Sequence, residues 1–125
     1  MEVNTHAFLW AVAEPEKLSK RTARVIEDQA NQLLLRSASL WEIVLKAQVG
    51  KLQLPEAPRF LAEHMAQLGI EPLPVEAGHV LALLSLPRHH RDPFDRLLVA
   101  QCQTEQVPIV TADKEIRRYP VQTIW

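Results

Sequence analysis

The chain has 125 residues, 47% hydrophobic and 23% charged, with a formal net charge of −1. That balance fits one globular domain over residues 1–125 and gives no global signature of nucleic-acid binding. The lone Cys102 excludes an internal disulfide and a cysteine-rich zinc site; the apolar runs are too short for a membrane helix of roughly 20 residues, and the start lacks a secretion-signal layout, so a cytoplasmic protein is expected.

Residues 1–4 read as a short strand, weakened by Glu2. Helical spacing follows over 7–13 through Leu9, Trp10 and Val12, and Ser19 reads as the cap of a helix over 20–29 that carries Val25 and Ile26 on one face. Leu33-Leu34-Leu35 is a continuous apolar run, as in a strand covered on both faces. Residues 39–49 place Leu40, Ile43, Val44 and Ala47 at helical spacing before Gly50, a natural C-cap. A second amphipathic helix over 57–68 turns Phe60, Leu61, Met65 and Leu68 inward and ends at Gly69. A short strand at 70–73 and a helix over 76–85, stopped by Pro87, come next. The helix over 93–105 shows Phe94, Leu97, Leu98 and Cys102 as its apolar positions. A buried strand at 108–111, a short helix at 114–118 and a strand at 121–125 close the chain. Alternating strands and helices predict a parallel sheet with helices on both faces. Neither GxxxxGK[ST] nor GxGxxG occurs, so no glycine loop cradles a phosphate.

In such sheets ligands bind outside the carboxyl ends of the strands. Asn4 ends the first strand, Glu42 follows the second by one helical turn, and Asp113 follows the 108–111 strand. Asp92 and Asp95 open the helix that leads into that strand, so all five side chains are expected on one rim. Each also has a local explanation. Asp92-Pro93 is a good helix start with an acid three residues on; Ser39-Leu40-Trp41-Glu42 matches a capping box; Asn4 and Asp113 suit caps. Only joint placement on one rim goes beyond capping. Acids gathered there repel one another and call for a cation, which suits metal-assisted chemistry on a phosphate ester.

The histidines share no metal-ligand spacing such as HExxH. His6 lies near the rim, His64 and His79 are expected at solvent-facing or partly buried helix positions, and His89-His90 read as a basic loop. Trp10, Trp41 and Trp125 read as core or subunit-interface residues, and Cys102 as a small buried hydrophobe.

Four segments, in order, resemble the PIN-domain family and within it the VapC-like toxin ribonucleases. They are Val3-Asn4-Thr5-His6-Ala7-Phe8-Leu9-Trp10, Ser37-Ala38-Ser39-Leu40-Trp41-Glu42-Ile43 with Lys46, Arg91-Asp92-Pro93-Phe94-Asp95-Arg96-Leu97-Leu98, and Val110-Thr111-Ala112-Asp113. The resemblance implies a three-layer α/β/α sandwich around a mostly parallel sheet, and an acidic pocket that holds Mg²⁺ or Mn²⁺ and hydrolyses RNA. It assigns catalysis to Glu42, Asp95 and Asp113, metal binding to position 4 with Asp95 and Asp113, and accessory roles to Asp92 and Thr111. Lys46, Arg91 and Arg96 are the matching candidates for RNA phosphates. A cognate antitoxin and a homodimer are the implied partners, with no membrane. The chain departs from the pattern at Asn4, where the family carries its first aspartate. Losing a carboxylate from a metal pocket should cost at least the roughly 10–100-fold that outlying changes around metal ligands cost. A normally folded but weakened or inactive nuclease is therefore expected; the alternative is a non-catalytic module that binds RNA or protein.

Overall fold

The computed structural model describes residues 1–53, 56–88 and 91–125. Among them, five short strands form one sheet: β1 (Glu2–Val3), β2 (Leu33–Arg36), β3 (Ile70–Leu73), β4 (Ile109–Val110) and β5 (Thr123–Ile124), in the order β3-β2-β1-β4-β5. Every pairing is parallel. The α-helices are α1 (Thr5–Ala13), α2 (Lys20–Glu27), α3 (Ser37–Gln48), α4 (Ala57–Leu68), α5 (Ala77–Ala82) and α6 (Pro93–Glu105). The three-layer α/β/α expectation therefore holds, and the sheet is parallel at every pairing observed.

Side-chain alternation along the strands separates two cores. Val3, Leu33, Leu35, Ile70 and Val110 face one side with Phe8 of α1, Ile26 of α2 and Leu61 of α4. Ile109 faces the other with Leu98, Val99 and Cys102 of α6, plus Ile116 and Tyr119. Glu2 and Arg36, at alternate positions to Val3 and Leu35, are fully buried as well. Glu2 thus does not weaken β1 by reaching for solvent; it pairs across the sheet with Arg36.

Local chemistry sets the helix ends. Asn4 Oδ1 accepts the Ala7 N–H at 2.9 Å and Ser19 Oγ the Thr22 N–H at 3.0 Å. Asp92 Oδ1 accepts from Phe94 N at 2.8 Å, with Pro93 at the first helical position. Gly50 and Gly69 close α3 and α4 at φ +76° and +66°, the left-handed region that suits glycine.

Three expectations change. α3 starts at Ser37 with Arg36 as its cap, so Ser39 lies inside the helix; its hydroxyl accepts from Arg36 Nε at 3.1 Å and Thr5 Oγ1 at 2.9 Å. The Ser39–Glu42 capping box therefore does not form. The 76–85 helix divides into α5 and a 3₁₀ turn at Leu83–Ser85, tightened by a Leu86 N–H to Leu83 carbonyl bond. The 114–118 helix is a 3₁₀ turn at Ile116–Arg118.

The order β3-β2-β1-β4-β5 reverses direction between β1 and β4. Such a switch point opens a crevice at the carboxyl ends of the two strands, and Asn4 and Thr111 are the residues immediately beyond them.

Candidate active site at the sheet switch point

One side of the rim is a chain of hydrogen bonds that starts from the neutral amide of Asn4. Asn4 is 6% exposed. Its Oδ1 serves the Ala7 N–H, so its amide nitrogen points away from the helix and donates to Thr111 Oγ1 at 2.8 Å. Thr111 is fully buried, and the same hydroxyl oxygen accepts the Asp113 N–H at 3.0 Å. Asp113 Oδ1 in turn accepts the Glu115 N–H at 2.8 Å. Asn4 and Asp113, with His6, Trp10 and Ala112, line a cleft of about 250 Å³.

The other side is built on charge. Arg36, 1% exposed, sits behind the rim where β2 passes into α3. Its Nε lies 4.0 Å from Glu2 Oε1 and donates to Ser39 Oγ, and one Nη donates to the Phe94 carbonyl, one residue before Asp95. Burial pushes the guanidinium below its ordinary range, against the pull of Glu2, Asp95 and Glu42, which hold it charged. Burial likewise raises the Glu2 carboxyl from 4.5 to about 7, opposed chiefly by Arg36. The Cys102 thiol, pushed up by burial and by Glu2, stays protonated and donates to Glu2 Oε2 at 3.4 Å. Glu2 Oε1 has no hydrogen-bond partner among the described residues.

The sequence candidates divide accordingly. Asn4, Thr111 and Asp113 form one connected unit, while Glu42 and Asp95 are linked to Arg36 through their electrostatic pull on it. Thr5, next to Asn4, bridges the two sides through Ser39. Glu42 is half-buried and pairs with Lys46 at 3.7 Å, so Lys46 is an ion-pair partner within α3. Arg96 donates to the Leu86 carbonyl at 3.3 Å, and its Nε is buried. Arg91 is exposed; His89 and His90 lie outside the described residues. His79 corrects its expectation: it is 2% exposed, with Nδ1 accepting the Glu76 N–H at 3.0 Å and Nε2 facing Glu105 Oε1 at 2.8 Å. Sequence reasoning missed Arg36 and the role of Glu2. The available signal was an acid and a base, each at the edge of an apolar strand that must be covered on both faces, where an unpaired charge is too costly.

Hard carboxylate oxygens suit Mg²⁺ or Mn²⁺ in kind. Their grouping does not suit a formed centre. Among the described residues, no three His, Cys, Asp or Glu side chains gather closely enough to hold an ion. Asn4 turns an N–H donor toward Thr111 and uses its oxygen as a helix cap. The residues present do not fit a complete divalent site.

The sequence profile described as PIN domain matches residues 1–122. This chain belongs to the PIN-domain family. It is 32% identical to "Ribonuclease VapC22" of Mycobacterium tuberculosis (strain ATCC 25618 / H37Rv), over 98% of this chain and 96% of that one. It is 36% identical to "Ribonuclease VapC16" of the same organism over 46% of this chain and 42% of the relative. Among solved structures, VapBC2 from Rickettsia felis, bound to a DNA fragment from its promoter, shares the PIN fold with a TM-score of 0.74 at 15% identity, covering 98% of this chain and 96% of that one.

Proposed function

We propose that this PIN-domain chain, one domain over residues 1–125, is the ribonuclease toxin of a toxin–antitoxin pair, weakened by Asn4. The observation that carries this is near-full-length similarity to a relative named a ribonuclease, together with polar and acidic side chains at the switch point of the sheet. Glu42, Asp95 and Asp113 are the residues assigned to phosphodiester hydrolysis, and Mg²⁺ or Mn²⁺ is the ion that they would hold together with a carboxylate at position 4. Thr111 fixes Asn4 and Asp113 relative to each other, and Asp92 supports Asp95 by capping α6. Of the three basic candidates, Arg91 is the exposed one and is assigned to RNA phosphates; Lys46 and Arg96 serve internal contacts first.

The defect at position 4 is specific. An aspartate there keeps the cap oxygen for Ala7 and replaces the amide N–H by a second anionic oxygen. Thr111 can then donate its hydroxyl to that oxygen rather than accept from the amide. The Asn chain lacks both that negative charge and the second acceptor.

An antitoxin and a second copy of the chain are the protein partners assigned. The surface that supports them is an apolar groove of about 600 Å³ between α3, α5 and α6, lined by Trp41, Val80, Leu83, Phe94 and Leu97. Trp41 is 60% exposed and Leu84 88% exposed, an apolar patch of the kind that marks interaction sites. No helix of the described residues is long and apolar enough to cross a membrane, and the cytoplasm is the compartment assigned.

Cleavage of single-stranded and structured RNA with added Mg²⁺ or Mn²⁺ tests the assignment. Asn4→Asp is expected to cleave at least roughly 10–100-fold faster than the Asn chain, and chelation abolishes the gain. Equal, metal-independent behaviour of the two chains counts against a nuclease and favours a PIN-like binding module.

A further inference from the structure

The cleft beside Asn4 and Asp113 has an aromatic wall that no hydrolytic role requires. His6 is exposed, Trp10 is half-buried, and their ring centroids lie 6.2 Å apart with planes tilted by 54°. Both line the cleft, together with Asn4 and Asp113. Trp125 packs edge-on against Trp10 at 5.6 Å. Lys17 holds its ammonium 5.9 Å from the Trp10 ring while pairing with Glu14 at 3.0 Å. The volume, about 250 Å³, falls below the roughly 300–1,000 Å³ of clefts that take drug-sized ligands. A single planar ring system fits that size; a peptide helix or a duplex does not.

We propose that the His6–Trp10 wall is a subsite for one unpaired nucleobase of an RNA strand, which it stacks beside Asp113. The physical basis is that aromatic faces hold bases of any identity through stacking, while a nearby cation favours the phosphate backbone. Because the wall adjoins the rim, a base held there fixes the register of the strand against Glu42, Asp95 and Asp113. Trp10 and His6 are therefore positioning residues, and the subsite selects single-stranded over paired RNA, since a paired base cannot leave its stack without cost. This proposal rests on the ribonuclease assignment above.

The test is an anisotropy titration of the chain as it stands with a fluorescein-labelled single-stranded RNA of about ten nucleotides. The same RNA is then tried with one abasic nucleotide moved along it, against Trp10→Leu, Trp10→Phe and His6→Ala. The parent chain is expected to lose roughly 5- to 150-fold in affinity at one abasic position, the range of a single stacked base. Trp10→Leu should bind intact RNA more weakly by a similar factor and show no further loss at that position, while Trp10→Phe retains most of the penalty. A merely structural Trp10 would instead weaken intact and abasic RNA alike. Should Trp10→Leu fail to fold by its thermal transition, exposed His6→Ala carries the test and should shrink the penalty at the same position. An abasic penalty that persists unchanged in the folded variants overturns the subsite. RNA bound by neither the parent chain nor Asn4→Asp, with or without Mg²⁺, overturns the ribonuclease assignment itself.

Discussion

The two sides of the rim solve the same problem differently. On the β1–β4 side, Asn4, Thr111 and Asp113 close a hydrogen-bonded chain in which Asn4 contributes no charge. On the β2–α6 side, the Arg36 guanidinium is buried beside Glu2 and feels the pull of Asp95 and Glu42 as well. Acids buried in a fold need a cation, and on the β2–α6 side the chain supplies one, Arg36. On the β1–β4 side Asp113 is the acid, and position 4 holds an amide. The β1–β4 side thus satisfies its hydrogen bonds with an amide at position 4 and needs no carboxylate there to fold.

Breaking the charged side should produce the largest effect. Arg36→Met leaves Glu2 buried without its cation and is expected to lower unfolding free energy by about 3–5 kcal/mol at pH 8, read from urea denaturation. The loss should shrink at pH 5, where Glu2 takes up a proton, and the double variant Glu2→Leu/Arg36→Met should recover most of it. Equal losses for the single and double variants would show that the pair does not act as a unit.

Glu2→Gln sharpens the comparison. A carboxyl held near pH 7 in the fold and near 4.5 when unfolded keeps its proton longer in the native state. Its contribution to stability is therefore greatest below about pH 4.5, falls as pH rises toward 7, and levels off above. That change amounts to about 3 kcal/mol at most. Subtracting the Glu2→Gln stability profile from the parent profile should reveal this fall; parallel profiles would remove Glu2 from the account. Asp92→Ala should have the smallest effect of the three, a loss of about 1 kcal/mol from one helix cap. Thermal unfolding measures it.

Much of the architecture was legible in the sequence because periodicity and punctuation agreed. Ser19, Asp92-Pro93, Gly50 and Gly69 mark helix ends where the structure has them. The rim placement of Asn4 and Asp113 followed from strand–helix alternation. What escaped was pairing across distance. Glu2 looked like a defect in a strand because its partner lies on β2 and its thiol donor, Cys102, on α6. Ser39 looked like a cap because S-x-x-E spacing is local, whereas its Thr5 partner comes from α1, brought alongside by the sheet. His79 on a short helix gave no sign of the Glu105 carboxylate that meets it from α6.

The most direct test of the central claim is calorimetric titration of Mn²⁺ into the chain as it stands and into Asn4→Asp, at matched pH and salt. The account predicts weak binding to the Asn chain and an affinity at least roughly tenfold higher for Asn4→Asp, with a matching rise in thermal stability as metal is added. Equal affinity in the two chains would contradict it, because position 4 would then have no part in holding the ion.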